Sequence, residues 1–526
     1  MLRSFVSVEN ISYSLPDSAP LFQNITFTVK RGDKIALVGN NGVGKSTLAQ
    51  ILAGSLPPSS GAITTNAKLF YLPQTTLAIS GSVKSLVDAN GKIAALEAVD
   101  AGNTSEEHFR TIGDDWDIRE QITKEFAFWG ISHISVEDNL AAVSGGEKEK
   151  LLLAAAFLSG ADIIIFDEPT NNLDSSSRAL FIKRMLTTDA GALIISHDRN
   201  LLENIYSIME LEMGKLTSYG GNYTFYRAVK EEARQTLKQK ESVLKNERRR
   251  LKSLAAKDAE KAAQSEKIGK SKIAKGRYPR IMAGQLKGRS LVTLAKKREA
   301  SAVKIDKIEK EVEDVSAKLT NYPIKVLIAP NAFIRKNLVE MENIIFSYKE
   351  KVILKNFSLL ICGGERLAIR GNNGSGKTTL TKLILGCLEP QAGTIKRNGY
   401  FTCLDQNLSI IDPRKSLLAN IRDINPRLTL NEAHAALASL NFRNTQTDKP
   451  TETLSGGELL RCCMAAVTAA EKLPDLIIMD EPTNNLDVQS LEIVENALNQ
   501  YRGGLIIISH DETFLNNVGI NEEIQM

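Results

Sequence analysis

The stretch that decides the fold reads GNNGVGKS at residues 39–46, and it returns as GNNGSGKT at residues 371–378. Both copies fit the pattern G-x-x-x-x-G-K-[S/T] of a phosphate-cradling loop. A short apolar run precedes each copy, at 34–38 and 366–369, and a helix-like run follows it. Strand, loop and helix in this order direct backbone N–H groups and a helix N-terminus toward an anion. The sequence therefore predicts two phosphate-binding loops.

In each loop the lysine supplies a positive charge, and the hydroxyl that follows it can ligate Mg²⁺. The residues that we expect to hold the nucleotide are Gly39, Asn40, Asn41, Gly42, Gly44, Lys45, Ser46 and Thr47 in the first loop and Gly371, Asn372, Asn373, Gly374, Gly376, Lys377, Thr378 and Thr379 in the second.

Two carboxylates follow an apolar strand in each half of the chain. Asp167 and Glu168 come after Ile-Ile-Ile-Phe, and their counterparts, Asp480 and Glu481, come after Leu-Ile-Ile-Met. A buried parallel strand delivers such residues to the carboxyl edge of the sheet, beside the phosphate loop. We expect the aspartates to hold Mg²⁺ through water and the glutamates to orient or deprotonate the attacking water.

A glutamine and a histidine complete the predicted constellation in each half. The glutamines end a polar strand and can reach Mg²⁺ or the attacking water, and the histidines can bond the γ-phosphate. A lone histidine is usually structural, but these two share a 30-residue spacing from the strand aspartate. The expected catalytic residues are Glu168, Glu481, His197, His510, Gln74 and Gln406, and the expected metal ligands are Ser46, Asp167, Gln74, Thr378, Asp480 and Gln406.

The chain contains one unit twice, with a segment of different composition between the copies. Short apolar strands alternating with helices indicate a mostly parallel α/β core. We predict nucleotide-binding domains at 1–225 and 336–526, joined by a helical linker at 226–335. About 21 extra residues of the first copy fall within about 90–128. There a surface loop or short helical hairpin is favoured over an arm that contacts a partner.

The linker is strongly basic. Residues 231–300 contain 21 Lys and Arg against 8 Asp and Glu, a net charge of +13, whereas the rest of the chain contains 45 against 54. Leucines at every seventh residue from 237 to 251, and apolar residues at a 3–4 spacing from 305 to 319, are typical of heptad seams. We predict an antiparallel coiled coil of helices at about 227–265 and 291–321, with a tip loop at about 266–290.

The predicted tip lacks acidic residues from Ser271 through Lys297, and its basic residues alternate with aromatic and apolar ones. A run of charged residues usually forms only a solvated helix face. The combination of basic with aromatic and apolar residues instead favours neutralisation of phosphates together with stacking against bases, so we interpret the linker as a nucleic-acid contact.

The overall composition, with 43% hydrophobic and 24% charged residues, is that of a globular protein. Its longest apolar runs have the length of buried strands and fall short of the ~18 residues of a membrane span. The start lacks a secretory apolar region. The five cysteines lack metal-ligand spacing and indicate reduced thiols. We therefore expect a cytoplasmic monomer whose two halves pair within the chain.

Phosphate loop, glutamine, Ser-Gly-Gly-Glu, Asp-Glu and histidine together resemble the ABC ATPase superfamily, twice over. The whole chain resembles the ABC-F class, which has two cassettes in tandem, a charged helical linker and no membrane span. The resemblance implies that ATP with Mg²⁺ lies between the phosphate loop of one cassette and the Ser-Gly-Gly-Glu motif of the other. The implied motif residues are Ser455, Gly456, Gly457 and Glu458 at the first loop and Ser144, Gly145, Gly146 and Glu147 at the second.

The sequence departs from the ABC-F pattern in two places. Asn172 and Asn485 stand where many members carry His, and because both copies depart alike we interpret this as a subgroup feature. Tyr348 fits the aromatic residue that the family often places under adenine, whereas Leu15 takes that position in the first copy. The resemblance implies that both sites hydrolyse ATP.

The resemblance further implies a factor that binds the ribosome and modulates translation, with the linker reaching toward the peptidyl-transferase region. Some ABC-F members confer antibiotic resistance by ribosomal protection, and we lean toward that role. Two alternatives stay open. One is the ATPase subunit of an ABC membrane transporter, which tandem cassettes allow but which has no use for a basic coiled coil. The other is a DNA-repair or chromosome-maintenance ATPase.

Overall fold

The computed structural model describes residues 5–15, 20–74, 81–88, 91–171, 173–274, 280–319, 336–349, 351–371, 374–442, 447–484 and 486–526. The chain divides into one unit of residues 1–226 with 324–526 and a second unit of residues 227–323. We call the described residues before 227 the first cassette and those from 336 onward the second cassette; the residues between them form the linker.

The first cassette combines a mainly parallel sheet with a smaller antiparallel one. Its strands are β1 Phe5–Ser14, β2 Pro20–Lys30, β3 Lys34–Val38, β4 Ser60–Thr65, β5 Leu69–Leu72, β6 Ile163–Asp167, β7 Gly191–Ile195, β8 Ile208–Glu212 and β9 Lys215–Tyr219. The larger sheet has the order β5-β6-β7-β3-β8-β9, and the smaller has the order β2-β1-β4.

The helices of the first cassette pack on the larger sheet and on one another. They are α1 Lys45–Leu52, α2 Val83–Val87, α3 Lys92–Asp100, α4 Glu106–Ile112, α5 Ile118–Phe128, α6 Gly145–Leu158, α7 Ser175–Thr187 and α8 Arg199–Glu203. The linker is built from α9 Tyr223–Ala274 and α10 Arg280–Leu319.

The second cassette repeats this arrangement. Its strands are β10 Asn337–Tyr348, β11 Lys351–Cys362, β12 Arg366–Arg370, β13 Ala392–Arg397, β14 Phe401–Leu404, β15 Leu476–Asp480, β16 Gly504–Ile508 and β17 Glu522–Gln525. Its helices are α11 Lys377–Leu385, α12 Leu417–Ile424, α13 Leu430–Ser439, α14 Gly456–Thr468, α15 Val488–Gln500 and α16 Glu512–Val518. The described strands pair in the orders β14-β15-β16-β12-β17 and β11-β10-β13.

The central strands carry the site residues to one edge of each sheet. All residues of β6 and β7 are buried, as expected for parallel strands covered on both faces. Asp167 at the end of β6 pairs with Ile195 at the end of β7, and Asp480 pairs with Ile508 in the same way. The residues that follow β7 and β16 therefore meet the strand carboxylates at the carboxyl edge.

The extra segment of the first cassette is more ordered than a surface loop. It forms α3, α4 and α5, and it contributes Ile112, Ile118, Ile122 and Phe126 to the apolar core. Of the expected surface loop or short helical hairpin, only the helical character is therefore correct. The segment is helical because these side chains supply the periodic apolar face that a helix needs for packing.

The two linker helices pack against each other. Their shared apolar cluster consists of Leu244, Ile308, Val312 and Val315, flanked by Leu237, Leu251 and Leu319. Ser316 Oγ donates to Glu241 Oε1 at 2.7 Å, and Lys252 Nζ lies 2.7 Å from Glu309 Oε1. The later residue of α9 therefore contacts the earlier residue of α10, so the two helices are antiparallel.

The helices extend further into the predicted tip than expected. Residues up to Ala274 and from Arg280 onward are helical, so α10 includes Gly284 and Gly288. A glycine inside a helix costs only about 1 kcal/mol relative to alanine, which a 40-residue helix tolerates. Within the described part of the chain, no helix has the length and apolar character that crossing a membrane requires.

Candidate active sites

The two phosphate loops share one backbone conformation. Gly39 and Gly371 both have φ 152°, and the residues that precede α1 and α11, Gly44 and Gly376, have φ 101° and 112°. A Cβ on Gly39 would lie 2.4 Å from the carbonyl oxygen of Leu211. The chain can make this turn only with glycine, because other side chains would clash or adopt a strained φ.

Each loop lysine is buried and folds back over its own loop. Lys45 Nζ donates to the carbonyl oxygens of Gly39 at 2.7 Å and Asn40 at 3.1 Å, and Lys377 Nζ donates to that of Gly371 at 2.6 Å. Burial lowers the pKa of Lys45, and the nearby carboxylates, Glu168 first, act against that fall. Such an ammonium gains by pairing with a phosphate.

Each strand aspartate lies beside the hydroxyl of the phosphate loop. Ser46 hydrogen-bonds to Asp167, and Thr378 Oγ1 donates to Asp480 Oδ2 at 3.4 Å. Burial raises the pKa of both aspartates, and these hydroxyls oppose that rise. Tyr71 adds a second donor to Asp167, with its hydroxyl 3.2 Å from Oδ2.

The expected base and histidine are neighbours in both cassettes. Glu168 Oε1 lies 3.5 Å from His197 Nε2, and Glu481 Oε1 lies 3.5 Å from His510 Nε2. Both glutamates adopt a left-handed conformation, with φ 52° and 48°. Burial raises the pKa of Glu168 to about 8 and of Glu481 to about 7, and lowers the pKa of both histidines. A carboxyl with a pKa near neutrality is suited to general base catalysis.

The glutamines are placed less closely than the carboxylates. Gln74 is exposed and lines a cleft together with Asp167, Glu168 and Glu149. Gln406 is exposed just after β14, which pairs with the strand that ends in Asp480.

Each Ser-Gly-Gly-Glu motif begins a helix with a capping box. Ser144 N–H donates to Glu147 Oε2 at 3.0 Å, and Ser455 N–H donates to Glu458 Oε2 at 2.9 Å. Gly145 and Gly456 are exposed at the first helical position, so their N–H groups face outward. The helix N-terminus therefore remains open to an anion.

A chain of contacts links the first phosphate loop to the motif of the second cassette. The N–H of Asn41 donates to Asp487 Oδ2 at 2.9 Å, and Asp487 Oδ1 accepts the N–H of Ser490 at 2.7 Å. A Cβ on Gly457 would lie 2.7 Å from Ser490 Oγ, so that glycine packs directly on α15. Asn41 and Asp487, which this hydrogen bond joins, are 446 positions apart in the chain.

The buried polar atoms fit Mg²⁺ and a polyphosphate. The buried side-chain atoms of the described residues that have no hydrogen-bond partner include four at the two sites: Asp167 Oδ1, Glu481 Oε2, His197 Nε2 and His510 Nε2. Buried polar atoms normally find partners, so these indicate groups that a bound ligand completes. Carboxylate and hydroxyl oxygens are the ligands that Mg²⁺ prefers, and the bound ion would neutralise charge on the phosphates.

Some expected residues are not brought into these clusters. Tyr348 and Leu15 are about half exposed, and the ring of Tyr348 contacts Phe346 at 5.0 Å between centroids. Thr47 and Thr379 occupy the first turns of α1 and α11. The expected loop residues Asn372 and Asn373, and the substituted positions Asn172 and Asn485, lie outside the described residues.

Sequence reasoning missed the roles of Tyr71 and Asp487. Tyr71 occupies the position in β5 that Cys403 occupies in β14, since the two pair with equivalent residues of the neighbouring strands. Alignment of the two copies could have shown this difference. The contact of Asp487 with the opposite loop had no signal within either copy.

Known proteins resemble the chain over most of its length. A family model described as "ABC transporter" matches residues 22–171 and 354–484. The chain is 30% identical to "ATP-binding protein Uup" of Buchnera aphidicola subsp. Schizaphis graminum, over 97% of this chain and 79% of that protein.

Two further relatives match nearly the whole chain. "ABC transporter F family member 2" of Arabidopsis thaliana is 27% identical over 100% of this chain and 77% of its own length. "Ribosome protection protein VmlR" of Bacillus subtilis is 28% identical over 98% of this chain and 85% of its own length.

Among solved structures, the complex of archaeal ribosomal stalk protein aP1 and archaeal ribosome recycling factor aABCE1 matches with a TM-score of 0.60 at 19% identity. The match covers 97% of this chain and 86% of that chain. At this identity the likeness concerns the fold alone.

Proposed function

The chain belongs to the ABC transporter family, as a tandem-cassette protein of the ABC-F type that hydrolyses ATP, and on this premise we propose that it binds the ribosome and modulates translation. The observation that carries the proposal is the linker, whose residues 231–300 have a net charge of +13 in a chain whose other residues sum to −9. A segment of that charge between two cassettes is suited to a polyanion such as ribosomal RNA. The relative named as a ribosome protection protein supports the same partner.

We propose that each ATP, with Mg²⁺, lies between the phosphate loop of one cassette and the Ser-Gly-Gly-Glu motif of the other. The contacts from Asn41 through Asp487 and Ser490 to Gly457 support this pairing for the first site. Backbone donors of the motif helix would then complete the charge stabilisation that the opposite loop begins. Binding of ATP closes the cassettes, and hydrolysis lets them part.

Within each site, the lysine and the loop N–H groups would bind the phosphates, and the strand aspartate with the loop hydroxyl would hold Mg²⁺. The left-handed turn at Glu168 and Glu481 directs each carboxylate to the edge of the sheet, where it takes a proton from water at one of its oxygens. His197 and His510 lie beside these carboxylates. From there each ring would bond the γ-phosphate of the bound ATP.

The finer proposal concerns the linker tip. We propose that the tip reaches the peptidyl-transferase region and contacts RNA there, and that the protein confers antibiotic resistance by displacing bound drugs. Its support is the run of 27 residues from Ser271 to Lys297 without an acidic side chain, together with the relative named as a ribosome protection protein.

Trapping the ATP-bound form tests ribosome binding. The variant E168Q/E481Q binds ATP but lacks the base, so with ATP it should co-sediment with ribosomes. The matched control K45A/K377A, which lacks the phosphate-binding lysines, should stay in the supernatant. If the trapped variant does not co-sediment with ribosomes, the proposal is wrong.

Neutralising the tip tests the role of the linker. In the trapped background, K272A/K275A/R277A/R280A should weaken ribosome binding and reduce its salt dependence, because each phosphate contact contributes roughly 0.7–0.9 to the slope of log affinity against log salt. The matched control R110A/K124A/R427A/K472A removes four exposed charges from the cassettes and should bind as the parent does. Equal weakening by the two sets would reject a specific contact at the tip.

A further inference from the structure

The first turn of α7, in the first cassette, contacts the histidine of the second site. Ser175 Oγ lies 3.1 Å from Nδ1 of His510. The equivalent of Ser175 in the second cassette is Val488, which has no polar side-chain atom and packs against the apolar core of the first cassette. Nδ1 of His197 correspondingly has no hydrogen-bond partner within the described ranges. The second site therefore receives a hydroxyl from the opposite cassette, and the first site does not.

Arg178, one turn further along α7, adds a positive charge at the same place. Its side chain is 15% exposed, and its Nε donates to the carbonyl oxygen of Leu173 at 2.9 Å. Its Nη1 lies 3.8 Å from Asp198 Oδ2, and it lines a cavity with Glu168 and His197 of its own cassette and with Thr483, Asn484 and Asp511 of the second. The arginine is thus held by its own cassette at the contact between the two.

The charge of Arg178 lies on the face of α7 that meets the second site. Arg178 comes three residues after Ser175, so the two side chains share that face of the helix. The equivalent of Arg178 in the second cassette is Leu491, which is buried and uncharged.

We propose that Ser175 and Arg178 are positioning residues that the first cassette supplies to the second site, so that the two sites hydrolyse ATP at unequal rates. The hydrogen bond to Nδ1 fixes the ring plane of His510, whichever of the two atoms donates. Arg178 adds a positive charge on the same face of α7. This inference rests on the roles assigned to Glu481 and His510 under the proposed function.

Kinetics in single-site backgrounds test the proposal. In E168Q, where the second site alone retains its base, S175V/R178L should lower kcat about tenfold, the loss expected from about one hydrogen bond, with KM for ATP unchanged. In E481Q, where the first site is measured, the same change should leave kcat within twofold. The reciprocal change V488S/L491R should raise kcat in E481Q.

Controls separate positioning from folding. T187V/K183L makes a matched change at exposed positions near the far end of α7 and should alter neither background. R178K keeps the charge and should retain most of the kcat that R178L loses. The double variant E168Q/E481Q should be inactive, and residual hydrolysis there would contradict the roles of the glutamates rather than those of Ser175 and Arg178.

A spectroscopic measurement does not depend on turnover. The chain has five histidines, so ¹⁵N-histidine labelling gives a tractable set of ring signals. S175A should shift the ring nitrogens of His510 and leave those of His197 in place. Equal loss of kcat in the two backgrounds, or an unchanged His510 signal in S175A, would overturn the proposal.

Discussion

Replacing Glu495 with alanine should destabilise the protein far more than replacing Glu512. Arg199, in α8 of the first cassette, donates from Nη1 to Glu495 Oε1, in α15 of the second, at 2.6 Å. The two side chains are 2% and 7% exposed. Nε and Nη2 of Arg199 have no hydrogen-bond partner among the described residues. Removing Glu495 would therefore leave a buried guanidinium without its counterion.

The repeat provides the comparison for the magnitude. Glu512 occupies the position of Arg199 in the second cassette, and it pairs with Arg370 within that cassette at 3.2 Å while remaining 68% exposed. Loss of one partner from a buried pair costs about 3–5 kcal/mol, whereas an exposed pair contributes about 0–1 kcal/mol. Burial raises the pKa of Glu495 despite the adjacent Arg199, so desolvation outweighs the attraction. The double replacement R199M/E495L should consequently cost less than the two single changes added together.

Thermal unfolding followed by tryptophan fluorescence measures these costs. Trp129 is fully buried in the core of the first cassette and reports its unfolding. At about 2–4 °C per kcal/mol for a domain of this size, E495A should lower the midpoint by roughly 10 °C and E512A by no more than about 4 °C. A midpoint for E495A no lower than that of E512A would refute the reasoning, as would strict additivity of R199M and E495L.

Two further predictions concern single positions in the first cassette. G39A should lower the unfolding midpoint of the ligand-free protein more than G42A, because a Cβ on Gly39 meets the Leu211 carbonyl oxygen at 2.4 Å while one on Gly42 meets nothing within 4 Å; equal midpoints would contradict this. Burial lowers the pKa of Lys34 from 10.5 to about 8, so the folded chain binds fewer protons than the unfolded chain between these values, and stability should rise with pH across that window. K34M should lack the rise, as a series of midpoints from pH 7 to about 10.5 would reveal.

The parts of the site that lie within one cassette could be predicted from the sequence. Asp167, Glu168 and His197 lie within 31 residues of one another, and two parallel strands bring them to one edge in a way that short apolar runs already indicate. The comparisons confirm the tandem-cassette fold. This fold could be predicted for the same reason, since each cassette is specified by motifs of residues that are close in the sequence.

The family resemblance implied which motif faces which phosphate loop, but the individual residue contacts between the cassettes could not be predicted. Ser175 and His510 are 335 residues apart, and Arg199 and Glu495 are 296 apart. Each contact depends on how two separately specified surfaces meet, and neither surface carries a periodic pattern that would reveal its partner. The extent of the linker helices was also underestimated. The tip loop was expected at about 266–290, whereas α10 already begins at Arg280 and includes Gly284, because the neighbouring helical turns sustain a glycine.

The duplication also shows where a difference between the sites must originate. The glutamate–histidine distance is 3.5 Å in both cassettes, and both glutamates share the same left-handed turn, so the geometry of these groups provides no asymmetry. Two sites with this same geometry can still differ in the neighbouring residues that position the glutamate and histidine or set the charge around them. A change in one neighbouring hydrogen bond or charge alters the rate of hydrolysis about tenfold without moving the base. Among the positions that differ, four pairs lie around these groups or at the contact between cassettes: Tyr71 and Cys403, Ser175 and Val488, Arg178 and Leu491, Arg199 and Glu512. Unequal turnover, if measured, should therefore respond to exchanging these pairs and not to exchanging the phosphate loops.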